Sequence, residues 1–66
     1  MRVILNGEPT ELPEHTTVRE LIERLGLAAA ICAAEVNKQV VPRAEHDQHT
    51  LHYGDTVEIV TLVGGG

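Results

Sequence analysis

Thr17-Val18-Arg19-Glu20-Leu21-Ile22-Glu23-Arg24-Leu25-Gly26 is the stretch around which the rest of the chain arranges itself. A threonine followed three residues later by a glutamate forms a capping box: the hydroxyl accepts from a first-turn N–H, and the carboxylate reaches back to the cap. Val18, Leu21, Ile22 and Leu25 then recur at i, i+3, i+4 and i+7, which predicts one apolar stripe on a helix. Arg19, Glu20, Glu23 and Arg24 fall on the wet face, and Gly26 is placed to end the helix in the left-handed conformation.

Upstream of this helix, Arg2-Val3-Ile4-Leu5 is apolar and β-branched, and Asn6-Gly7 follows it. An Asn-Gly pair between two such runs predicts a hairpin, because a tight type I′ turn needs positive φ at both central residues. Residues 8–12 return as the second strand, an edge strand because Pro9 lacks a ladder donor, and Pro13 closes it. Downstream, residues 31–36 read as a strand that turns at Asn37-Lys38 into a short one, Gln39-Val40-Val41, stopped by Pro42. Arg43 to Gln48 is polar, a loop with a turn of helix. After a turn at Gly54-Asp55, Thr56 to Val63 is the last strand.

One helix of two to three turns can cover one face of one mixed sheet. Hairpin, helix and further strands therefore predict an α+β domain of the β-grasp kind, with four to five strands. The strand order is not readable from this pattern. Sixty-six residues allow one small domain, residues 1–63, followed by a flexible glycine tail, 64–66. A chain this short buries only about 60% of its unfolded surface, which excludes a deep cleft between domains.

Ten acids against five scattered bases leave a net charge of −5, the wrong sign for binding phosphate backbones. Nucleic acid is excluded as a partner. The longest apolar run, Leu27 to Ala34, is far too short to cross a membrane. The chain opens directly into a strand-like pattern, so no signal sequence is expected, and lone Cys32 has no internal disulfide partner. The expected location is the cytoplasm.

The chain finishes Thr61-Leu62-Val63-Gly64-Gly65-Gly66, with the glycines directly after the last strand. Without Cβ atoms, Gly64 and Gly65 can thread a channel too narrow for any other residue, delivering the α-carboxylate of Gly66 at its far end. A carboxylate resists substitution because its oxygen leaves poorly. Transfer of AMP to that oxygen makes it a good leaving group, and sulfide or a persulfide can displace it to give a thiocarboxylate.

These stretches together resemble the ThiS family, the sulfur carriers of thiazole formation in thiamin biosynthesis, ubiquitin-like β-grasp proteins. The resemblance covers essentially the whole chain. It rests on Asn6-Gly7, the Thr17-Val18-Arg19-Glu20-Leu21 helix start, Val36-Asn37-Lys38-Gln39-Val40-Val41-Pro42-Arg43, Gly54-Asp55-Thr56-Val57-Glu58-Ile59-Val60 and the terminal glycines. Gly64 stands where some relatives have alanine. The resemblance implies a carrier rather than an enzyme, with no bound cofactor. A ThiF-like adenylyltransferase would use ATP and magnesium to activate Gly66. Sulfur from a cysteine desulfurase would make the thiocarboxylate, and a ThiG-like thiazole synthase would take it up. The alternatives are a MoaD-like carrier for molybdopterin or another thiolation pathway, conjugation of Gly66 to lysines, and a β-grasp module that binds through its sheet with an idle tail.

Alternation along the outer strands puts Ile4, Val60 and Leu62 on the open face of the sheet, an apolar patch near the tail and a candidate partner surface. Cys32 shares the inward parity of Ala34 and Val36 and reads as a core residue. His46, His49 and His52 are spaced by three, but Thr50 and Gly54 oppose a continuous helix, so they read as solvated loop histidines and not as a metal site.

Overall fold

The computed structural model describes residues 1–62. Within them the order is β1 (Arg2–Leu5), β2 (Glu8–Glu11), α1 (Val18–Arg24), β3 (Cys32–Val36), β4 (Gln39–Val41), a short 3-10 helix at Arg43–Glu45, and β5 (Thr56–Thr61). The five strands make one mixed sheet in the order β2-β1-β5-β3-β4. The central pair, β1 and β5, is parallel, and every other pair is antiparallel. This is the β-grasp arrangement, with the first and last strands side by side beneath the helix.

Local chemistry explains each element. Asn6 and Gly7 carry φ of +49° and +86°, as the tight β1–β2 turn demands. The α1 capping box forms as the sequence predicts: the Glu20 N–H donates to Thr17 Oγ1 at 3.1 Å, and the Thr17 N–H donates to Glu20 Oε1 at 2.9 Å. Thr17→Ala removes one half of that exchange and is expected to cost about 1 kcal/mol. For a domain this small, that appears as a fall of roughly 4–8 °C in thermal midpoint, followed by circular dichroism.

The helix buries Val18, Leu21 and Ile22 against Val3, Val57 and Ile59 of the central strands, all part of one core cluster. Leu25 departs from the predicted stripe. It is the C-cap and remains 40% exposed, because the chain leaves the helix at Gly26, φ +77°. The return strand ends at Glu11 rather than residue 12. Leu12 is nevertheless buried, and its N–H donates to the Met1 carbonyl at 2.8 Å.

The polar segment after β4 is a brace rather than a free loop. The helix N-terminus leaves backbone donors that need partners, and two of them find carbonyls here: Val18 N–H donates to His49 at 3.0 Å and Arg19 N–H to His46 at 2.9 Å. Leu51, 1% exposed, plugs the core beneath them.

Candidate functional site

The last strand decides where the glycine tail begins. Val57 and Ile59 point into the core, whereas Glu58, Val60 and Leu62 are exposed, as alternation predicts. At its end the strand is tied to the segment entering β3: Leu62 N–H donates to the Ile31 carbonyl at 2.8 Å, and Thr61 lies opposite Cys32. Val63 and the glycines Gly64, Gly65 and Gly66 lie outside the described residues.

On the open face beside this exit, Val60 and Leu62 are each 53% exposed and Ile31 50%. Half-buried Ala33, the cross-strand partner of Val60, joins them. Ile4 shares the face but not the patch. It is half-buried and level with Thr56, four residues before Val60, about 13 Å away at the usual strand rise. Ile31 takes the place expected for Ile4. The sequence held the signal for it, since Cys32 faces inward and its predecessor must face out. Next along the same face, Glu35 and Glu58 stand directly opposite each other, an arrangement of like charges that weakens a sheet.

The start of β5 is held by side-chain amide chemistry. Asn37, at φ +53° in the β3–β4 turn, accepts from the Thr56 N–H at 3.0 Å and donates through Nδ2 to Asp55 Oδ1 at 3.0 Å. Asp55 Oδ2 in turn accepts from the His52 N–H at 2.8 Å. Asn37 and Asp55, prominent in the sequence motifs, thus stitch two turns together and are remote from the tail in role.

Cys32 is buried, with Sγ 3.9 Å from the Ala30 carbonyl, as its parity predicts. His46 corrects the reading of three solvated histidines. It is only 7% exposed, and its Nε2–H donates to the Val41 carbonyl at 3.0 Å, because the brace beneath the helix start folds that ring inward. His49 is half-buried and His52 exposed. Among the described residues no three His, Cys, Asp or Glu side chains gather as a metal site. A recess of about 350 Å³ between α1 and the 3-10 helix is lined by Arg19, Cys32, Arg43, His46 and Asp47 among others. It opens on the helix side of the sheet, away from the apolar patch. Among the described residues no helix is long and apolar enough to cross a membrane.

A β-grasp domain whose last strand borders an open apolar face, with three glycines following in the sequence, has the form expected of a small carrier protein. The comparisons with known proteins sharpen that class. The profile of the ThiS family matches residues 3–66. The chain is 32% identical over 66 residues to the sulfur carrier protein ThiS of Escherichia coli, covering all of both chains. It superposes on the crystal structure of the thiamine biosynthesis protein ThiS from Geobacter metallireducens with a TM-score of 0.83 at 35% identity, again over all of both chains. It is also 35% identical over 66 residues to a thiazole synthase of Paramagnetospirillum magneticum, of whose length it spans 20%. The chain belongs to the ThiS family, and its full-length relative in Escherichia coli is a sulfur carrier protein.

Proposed function

We propose that this chain carries sulfur on the α-carboxylate of Gly66 and delivers it for thiazole formation in thiamin biosynthesis. The supporting observation is the match, over all of both chains, to a sulfur carrier protein, together with the three glycines that follow the last strand in this sequence. A carboxylate oxygen of Gly66 attacks the α-phosphorus of ATP in a ThiF-like adenylyltransferase that uses magnesium, and pyrophosphate leaves. Sulfide then attacks the acyl carbon and AMP departs with the oxygen. Where the sulfur comes instead as a persulfide from a cysteine desulfurase, its outer sulfur makes the attack and AMP departs. A second thiol then cleaves the resulting acyl disulfide, leaving with the other sulfur as a disulfide. The thiocarboxylate so formed is a better nucleophile than the acid, and a ThiG-like thiazole synthase takes its sulfur. A carrier-like segment within the Paramagnetospirillum magneticum thiazole synthase supports that acceptor over a molybdopterin pathway. Gly64 and Gly65 thread the partner's channel, while Ile31, Val60 and Leu62 meet its surface. The work is cytoplasmic, where ATP is available and Cys32 stays reduced.

Intact-mass analysis after incubation with a ThiF-like enzyme, ATP, magnesium and sulfide tests this reading. The expected result is a gain equal to exchange of one oxygen for sulfur, located on Gly66. No gain, with an enzyme active on another carrier, would leave the sheet-binding module as the better account. Val60→Asp places a third acid beside Glu35 and Glu58 on an apolar contact. It is expected to raise the KM for loading about tenfold with little effect on folding, since Val60 is half exposed already.

A further inference from the structure

Asn6 sits in the β1–β2 turn, yet its carboxamide reaches a different strand. The parallel pairing of β1 with β5 proceeds through Ile4 opposite Thr56 and Leu5 opposite Val57. Ile4 N–H donates to the Asp55 carbonyl and Asn6 N–H to the Val57 carbonyl, both at 2.9 Å. The next rung belongs to Ile59, but the main chain has by then turned away at Gly7. The side chain of Asn6 supplies that rung instead. Ile59 N–H donates to Asn6 Oδ1 at 2.9 Å, and Asn6 Nδ2 donates to the Ile59 carbonyl at 3.2 Å. A carboxamide has the donor and acceptor of a peptide group in one plane, so it can extend a ladder by one step where no backbone remains.

This rung lies three residues before Leu62. On the opposite edge of β5, the strand end is tied by the pairing of Thr61 with Cys32 and by the Leu62–Ile31 hydrogen bond. Asn6 therefore holds the β1 side of the segment that carries both the apolar patch and the start of the tail. We propose that Asn6 is a positioning residue for sulfur loading: it fixes the end of β5 so that the docked face and the tail stand in register with the partner's active site. This rests on the carrier reading above. A displacement of about 1 Å can cost as much as a hundredfold in rate even when its origin is far from the chemistry, and a loosened β5 end shifts the docked face from which the tail departs.

Asn6→Gly is the informative variant, because glycine tolerates the positive φ of the turn and removes only the amide. Asn6→Asp is its companion, keeping an acceptor for Ile59 N–H while setting a carboxylate against the Ile59 carbonyl. Thr17→Ala serves as a control that weakens the fold at the start of α1 instead. Two readouts are taken on each: amide hydrogen exchange at Ile59 and Val57, and kcat/KM for thiocarboxylate formation with the ThiF-like enzyme, ATP, magnesium and sulfide. Asn6→Gly and Asn6→Asp are expected to exchange Ile59 at least about tenfold faster relative to Val57, and to load about tenfold more slowly. Thr17→Ala should load at the wild-type rate. Equal loading by Asn6→Gly and wild type, or equal losses in Asn6→Gly and Thr17→Ala, overturns the proposal. Failure of the wild-type chain itself to load would instead overturn the carrier reading, while the exchange at Ile59 still reports whether the rung exists.

Discussion

Deletion of Gly66 is expected to leave a folded protein that no longer accepts sulfur. The shortened chain still ends in a carboxylate, so the chemistry of the group is unchanged. Its reach is not: one residue of extended chain spans about 3.5 Å. That exceeds the tolerance of a reacting geometry, where about 1 Å already costs up to a hundredfold. Loading measured by intact mass is expected to fall to background. Gly65→Ala keeps the length but adds a Cβ where the proposed partner channel admits only glycine, and should lose most of the rate. Neither change touches β5, which ends at Thr61, so thermal unfolding should match wild type. A Gly66-deleted chain that loads at the normal rate would separate the sulfur chemistry from the terminus altogether.

Leu21→Ala should unfold a large fraction of the protein. Leu21 is 1% exposed and lies on the face of α1 that covers the sheet. Truncating such a leucine removes its transfer free energy and leaves a cavity, together costing about 2–5 kcal/mol. A domain of this length has roughly 3–10 kcal/mol of stability in all. There is no disulfide to compensate, since Cys32 is a free thiol. Urea titration followed by circular dichroism should show the midpoint shifted to low denaturant or the native baseline lost. A midpoint within experimental error of wild type would mean that α1 is not packed on the core as described.

The two predictions draw on information of different range. Residue types at short spacing announced the helix and its cap, because the Thr17–Glu20 exchange closes within three residues. The Asn6-Gly7 turn was equally plain, since few residues accept positive φ twice in succession. The inward faces of β3 and β5 followed from alternation, and the candidate carrier terminus could be read directly as three glycines after a strand. Each of these depends only on neighbours in the chain.

The burial of His46 does not. Its ring faces inward because the segment after β4 must supply carbonyls to the first turn of a helix nearly thirty residues upstream, a debt visible only when both are in place. The separation of Ile4 from Val60 and Leu62 likewise comes from the β1–β5 register, and alternation assigns a face without assigning a height along the strand. Asn6 and Asn37 looked like turn residues and nothing more. Both proved to hold β5 through their amides, across 53 residues in one case and 19 in the other.

Local propensity and side-chain period thus sufficed for which segments become strands and helix, which face of each is buried, and which glycines make the candidate carrier tail. Strand order, register and the side chains that complete the ladder around β5 were settled only by tertiary structure. Those features arise from hydrogen bonds and packing between residues far apart in sequence, whose pairing energy exists only after the hairpin, the helix and the last strand have come together.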